Sequence, residues 1–138
     1  MILFRPVGLH ELELIARSGW REFPARLPEQ PIFYPVLNQG YAEQIARDWN
    51  TTDLASGFAG FVLEFEVDDE HAAKYPREVV GAREHEELWV PAEELRSFNS
   101  HIVGAIRAVR AYFGEQFTGD IDEAGLLPAH LEGAGEAG

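Results

Sequence analysis

Pro31-Ile32-Phe33-Tyr34-Pro35, then Asn38 to Trp49, then Gly60-Phe61-Val62-Leu63-Glu64-Phe65-Glu66-Val67 read in order as strand, helix, strand, and this stretch decides the fold class. In the middle segment Tyr41, Ala42, Ile45, Ala46 and Trp49 fall on one apolar stripe, with Glu43, Gln44, Arg47 and Asp48 outside it. Asn38 stands where a side-chain oxygen can accept from the free amides of the first helical turn. Phe61, Leu63, Phe65 and Val67 alternate with Val62, Glu64 and Glu66, the period of a strand with one apolar face. Ile32 to Tyr34 is boxed by two prolines, which cannot donate to a ladder. That strand is expected to be short and to lie near an edge or a bulge.

Working outward, Ile2 to Arg5 is an apolar run ended by Pro6, an opening strand. Leu9, Leu12, Ile15 and Ala16 recur at helical spacing before Gly19, which predicts a helix over about Leu9 to Ser18. Trp20 to Gln30 carries Pro24 and Pro28 without a period and reads as loop. Further on, a helical turn is expected at Glu70 to Lys74 and a short strand at Val79-Val80. Leu88-Trp89-Val90 reads as a strand stopped by Pro91, with a helix over Ala92 to Phe98 and a strand over Ala105 to Phe113. The sum is α+β, a small mixed or antiparallel sheet with flanking helices. Residues 1–114 form one domain on this reading. Residues 115–138 carry six acids and no Lys or Arg, and are expected to be a flexible acidic tail.

The 138 residues carry a net charge of -13, which repels phosphate backbones and anionic lipid, so neither nucleic acid nor a membrane is an expected partner. The absence of cysteine excludes disulfides, Cys-based zinc sites and a Cys nucleophile. With no signal-peptide pattern at the start and no apolar run of spanning length, the expected compartment is the cytoplasm.

Chemistry is sparse. The five histidines are scattered and form no Ser/His/Asp order. Gly57-Phe58-Ala59-Gly60 precedes a strand, the reverse of a phosphate loop. In Glu84-His85-Glu86-Glu87, a metal would use His85 with Glu84 or Glu87, but no second histidine stands one helical turn away, and no metal is expected. The cluster is otherwise a solvated loop, or it brings a carboxylate to the entrance of the Leu88-Trp89-Val90 strand. There it can stabilise a developing cation, as glycosidic chemistry requires. Glu86 and Glu87 point to opposite faces of a strand, and both stay open as the cleft carboxylate. Arg5 either packs its stem on a neighbour or offers its planar fork to a phosphate or ribose. Tyr34 is core, rim or a stacking surface for a flat ring.

Leu3-Phe4-Arg5, Ile32-Phe33-Tyr34, the helix with Ala42 and Ala46, Gly60 to Val67, and Glu87-Leu88-Trp89-Val90-Pro91 together resemble the ADP-ribosyltransferase fold. Arg26-Leu27-Pro28-Glu29-Gln30-Pro31, Ala46-Arg47-Asp48-Trp49-Asn50 and Trp89-Val90-Pro91-Ala92-Glu93-Glu94-Leu95 are similar to small bacterial proteins labelled "ADP-ribosylation/crystallin J1". The resemblance covers Leu3 to about Gly114. It implies NAD as substrate, with Glu87 as catalytic carboxylate on the ribose and Arg5 on the pyrophosphate. It further implies Tyr34 with Phe33 or Trp49 around the nicotinamide, and His85 near the acceptor. The acceptor would be a protein or water. The pattern joins the arginine of one branch of that family to the tyrosine of another. The alternative is a non-catalytic binding or regulatory module of the immunity type on the same fold. The two readings part on whether Arg5 and Glu87 share one cleft.

Overall fold

A computed structural model describes residues 1–82 and 85–131. Its elements are β1 (Ile2–Val7), α1 (Leu9–Arg17), β2 (Ile32–Phe33), α2 (Gln39–Asp48), β3 (Ala59–Val67), α3 (Asp69–Ala72), β4 (Arg77–Val79), β5 (Glu86–Leu88), β6 (Val90–Pro91), α4 (Leu95–Ser100) and β7 (Ile102–Phe113). The architecture is α+β with small antiparallel sheets.

The main sheet has the order β1-β3-β7, antiparallel throughout. Alternation sorts its two faces. Leu3 and Val7 lie across from Phe65 and Phe61 and point into the larger core, with Leu12 and Ile15 of α1 and with Phe23, Phe33 and Phe98. The other face meets α2 through Val36, Val62, Ala42 and Ala46. Small residues set that approach. A Cβ on Gly60 would collide with the carbonyl oxygen of Ala46, so only glycine lets α2 lie this close to β3. Asn38 caps α2 as expected, its Oδ1 accepting from the Tyr41 amide at 3.0 Å.

The expected strand over Leu88-Trp89-Val90 forms, as β5 and β6 running on through Trp89. On one side it keeps a single antiparallel register with residues 32–37, Glu87 across from Val36, Val90 from Phe33 and Pro91 from Ile32, and the Leu88 amide donates to the Pro35 carbonyl at 2.8 Å. On the other side it pairs with β4, and the Trp89 amide donates to the Pro76 carbonyl at 3.0 Å. Another expectation changes in the structure. The segment after Gly114, expected as a flexible tail, is held against the domain through Leu131. Leu127 is buried in the larger core, Phe117 packs on Phe113 at 4.8 Å, and Ile121 bridges Pro128. Apolar residues among the acids supply the anchoring that composition alone conceals.

Glu84, weighed above as a metal ligand, lies outside the described residues. Among the described residues no three His, Cys, Asp or Glu side chains group as metal ligands, and no helix is long and apolar enough to cross a membrane.

Candidate functional site

The site arises where β1 loses its neighbour. Phe4 exchanges both backbone hydrogen bonds with Val36, at 2.9 and 2.7 Å. In an antiparallel pair the next exchange falls two residues on, which would set Pro6 against Tyr34. Pro6 has no N–H to give. The two segments part there, and a cleft of about 400 Å³ opens between them. On its far side Val36 bridges Glu87 of β5, and the Leu37 amide donates to the Glu86 carbonyl at 3.1 Å. Residues 32–37 thus stand between β1 and the strand that carries Glu87. Arg5 and Pro6 form one wall of the cleft, Tyr34, Val36, Glu87 and Trp89 another, and Ile45, Trp49 and Asn50 come from the end of α2.

Four of the residues singled out from the sequence line this cleft: Arg5, Tyr34, Trp49 and Glu87. Tyr34 and Trp49 are exposed, at 38% and 59%, so both offer aromatic surface to a ligand. The Tyr34 ring meets Trp89 edge-on at 5.9 Å. Phe33 is fully buried and has no face for a bound ring; the Arg5 guanidinium lies over it, 4.6 Å from its centroid. His85 does not line the cleft and instead stacks on Tyr41 at 4.2 Å with 14° between the planes. Of the two carboxylates left open, Glu87 lines the cleft and Glu86 does not.

Phe4, Val36 and Glu87 stand in line across the strands, so Glu87 points to the α2 face. Arg5, next to Phe4, points with Leu3, Val7 and Phe33 to the larger-core face. The two charged ends lie on opposite sides of the sheet, anchored to different helices. Arg5 donates through Nε and Nη2 to the two oxygens of Glu11 on α1, at 2.7 and 3.1 Å. Glu87 accepts on Oε2 from the Tyr41 hydroxyl of α2 at 2.8 Å and on Oε1 from the Trp89 indole at 3.0 Å. Burial first, then the hydrogen bond to Glu87, push the Tyr41 phenol up to about 12. Tyr41 therefore stays a donor across the physiological range. Both Glu87 oxygens are fixed by neutral groups.

Sequence reasoning passed over Tyr41, Trp89 and Glu11. Tyr41 sits on the apolar stripe of α2, where its ring explains its presence and its hydroxyl goes unread. The placement of Trp89 beside Glu87 follows from strand parity, which does bring residues two apart to one face. Glu11 stands in the first turn of α1, where an acid is already accounted for by the helix dipole. Asn50 is a further cleft residue, buried at 5%, whose Nδ2 donates to Ser56 at 2.9 Å.

No family model, no curated protein and no solved structure matches the chain, so the fold class rests on the architecture and the site on its own geometry.

Proposed function

We propose that this chain binds NAD and cleaves its nicotinamide–ribose bond as an ADP-ribosyltransferase-like enzyme. The observation that carries this reading is one cleft in which the exposed rings of Tyr34 and Trp49 stand with the carboxylate of Glu87, held in place by Tyr41 and Trp89. Its volume of about 400 Å³ falls in the range of small-ligand sites, roughly 300–1,000 Å³.

The residue types suit the substrate. Tyr34 and Trp49 supply flat surface for the nicotinamide ring. When the glycosidic bond breaks, its electron pair goes to the nicotinamide nitrogen and positive charge develops on the ribose. A carboxylate oriented in advance stabilises that charge without reorganising. Glu87 meets the requirement because the neutral donors of Tyr41 and Trp89 hold its two oxygens. The acceptor would be a protein or water, since the -13 charge disfavours nucleic acid.

The test is nicotinamide release from NAD by the purified chain, with Glu87→Gln alongside. Loss of a group that stabilises transition-state charge typically lowers kcat by about 10²–10³, and a loss of that order is expected here. Wild-type protein that releases no nicotinamide with any acceptor in a panel of cell extracts would sink the enzyme reading.

Two observations favour the non-catalytic alternative. Arg5 and Glu87 point to opposite sides of the sheet, so they do not converge on one ligand as the enzyme reading asks. Both oxygens of Glu87 and two nitrogens of Arg5 also have partners within the protein, so much of the site is satisfied without a ligand. NAD titrated into the protein by calorimetry separates the two readings, because a regulatory module built for a protein partner would give no NAD binding heat.

A further inference from the structure

Exposed apolar side chains gather at the cleft. Tyr34, Trp49 and Val80 all line it, and all three stand open to solvent. Tyr34 and Trp89 meet edge-on with 82° between their planes, so the two rings make a corner rather than a stack. Trp49 comes to the same cleft from the end of α2. Three aromatic rings from three separate segments therefore border one space.

The polar groups beside these rings are spent in one direction. Two charged side chains among the described residues line the cleft. Arg5 lays its guanidinium on Phe33 on the far side of the sheet, which leaves the carboxylate of Glu87. Three donors around it are already used. The Trp89 indole and the Tyr41 hydroxyl serve Glu87, and Asn50 Nδ2 serves Ser56, whose own hydroxyl donates to Asp53 at 2.6 Å. Because Ser56 gives its proton to Asp53, it can only accept from Asn50, and that fixes which end of the Asn50 amide is the nitrogen. The other end, Oδ1, is buried without a partner among the described residues. What these groups have left to offer is acceptor and negative charge, bordered by aromatic faces, on a chain of net charge -13.

A ring face is the negative part of an aromatic quadrupole, and it attracts a cation without asking it for a hydrogen bond. Each Glu87 oxygen already accepts one hydrogen bond, so this carboxylate offers charge more than an open docking point. Such a set suits a cation whose charge is wrapped in carbon. A primary ammonium is strongly hydrated and gives up that shell on entry, whereas an alkylated nitrogen has little shell to lose.

We infer that this cleft is a receptor for an N-alkylated organic cation, with Tyr34, Trp49 and Trp89 as its walls and Glu87 as its counter-charge. The cation is the pyridinium ring of a dinucleotide or a free quaternary ammonium compound, and the two sources share this chemistry. No bond is broken in this role, so it stands apart from NAD cleavage although it uses the same cleft.

The experiment is calorimetric titration of the whole chain with two pairs of probes, each a cation and a neutral molecule of like shape. The first pair is the ring-N-methylated nicotinamide cation and nicotinamide. The second is choline and dimethylbutanol, its carbon isostere. In at least one pair the cation is expected to bind about tenfold more tightly than its neutral partner, a size within reach of a desolvated cation–π contact. A preference in the first pair names a pyridinium, and one in the second a quaternary ammonium. Trp49→Leu, at a mostly exposed position, should cut that preference several-fold and leave the neutral probe nearly unchanged, and Glu87→Gln should do the same. Neutral probes that bind as tightly as both cations overturn the inference. So does a preference that survives unchanged in either folded variant, or no cation binding at millimolar concentration. Because the readout is binding heat, the site stands if nicotinamide is never released from NAD, and it falls alone if NAD is cleaved while the charge of the probe makes no difference.

Discussion

The two charged groups of the cleft are held in opposite ways. Arg5 is held by charge: Glu11 takes its fork side-on, and Arg26 crowds the same carboxylate. Glu87 is held by neutral donors, the phenol of Tyr41 and the indole of Trp89. The first arrangement spends a counter-charge on positioning. The second fixes a carboxylate through two neutral donors. A group meant to meet an incoming cation needs the second arrangement, whereas a cation that must survive burial needs the first.

The contrast can be broken by removing one support from each side. Glu11→Gln strips the only carboxylate among the described residues within 4.0 Å of two mostly buried guanidiniums. Breaking such a pair from one side typically costs about 3–5 kcal/mol, and urea unfolding should register a loss of that size. Tyr41→Phe removes one neutral donor from a half-buried carboxylate that water can still reach. Its expected cost is about 1.5 kcal/mol, the low end for hydrogen bonds to charged groups. If Tyr41→Phe destabilises as much as Glu11→Gln, the two sides are not held differently.

The smallest effect should come from outside the cleft. His71 is buried at 4%, stacks on His101 at 3.8 Å, and pairs Nε2 with the Tyr75 hydroxyl at 3.0 Å, while Nδ1 has no partner among the described residues. Burial first, then His101 and Lys74, lower its pKa; Asp68 and Glu94 act the other way. The unfolded chain takes up a proton near pH 6.5 that the folded chain resists. From this group, stability is level above that pH, falls as pH drops toward the lowered folded value, and levels again below it. The slope of a single proton is no steeper than about 1.4 kcal/mol per pH unit. Urea midpoints measured from pH 8 to 5 should show the fall, and His71→Phe should flatten it.

What the sequence made legible was local. The stripe of α2, the Asn38 cap, the alternation of β3 and the spacing of α1 each follow from neighbours within a turn or a pleat. The two-sided pairing of Leu88-Trp89-Val90 was not legible, because an apolar run looks the same whether it has one partner strand or two. β7 begins at Ile102 rather than Ala105 because Gly104, at φ +77°, and the register shifts opposite β3 break the expected pattern. Within the cleft, Arg5, Tyr34, Trp49 and Glu87 were found by position in the chain. Arg26, beside Arg5 but outside the cleft, was not found, for it stands in an aperiodic, proline-rich loop and only the folded chain reveals that it shares the Phe33 ring with Arg5.

The lone bridge at Val36 also bears on how the chain reaches this form. β1 lies inside the assembled sheet, with β3 on one edge and Val36, then β5, on the other. The strand made first is completed by Val36, and the strand that carries Glu87 is added beyond it. Pairings between distant segments carry a loop-closure cost before they return any stability. The hairpin that brings Glu87 to the cleft should therefore dock late. In a refolding experiment, ligand-binding competence would then lag behind formation of the β1-β3-β7 sheet.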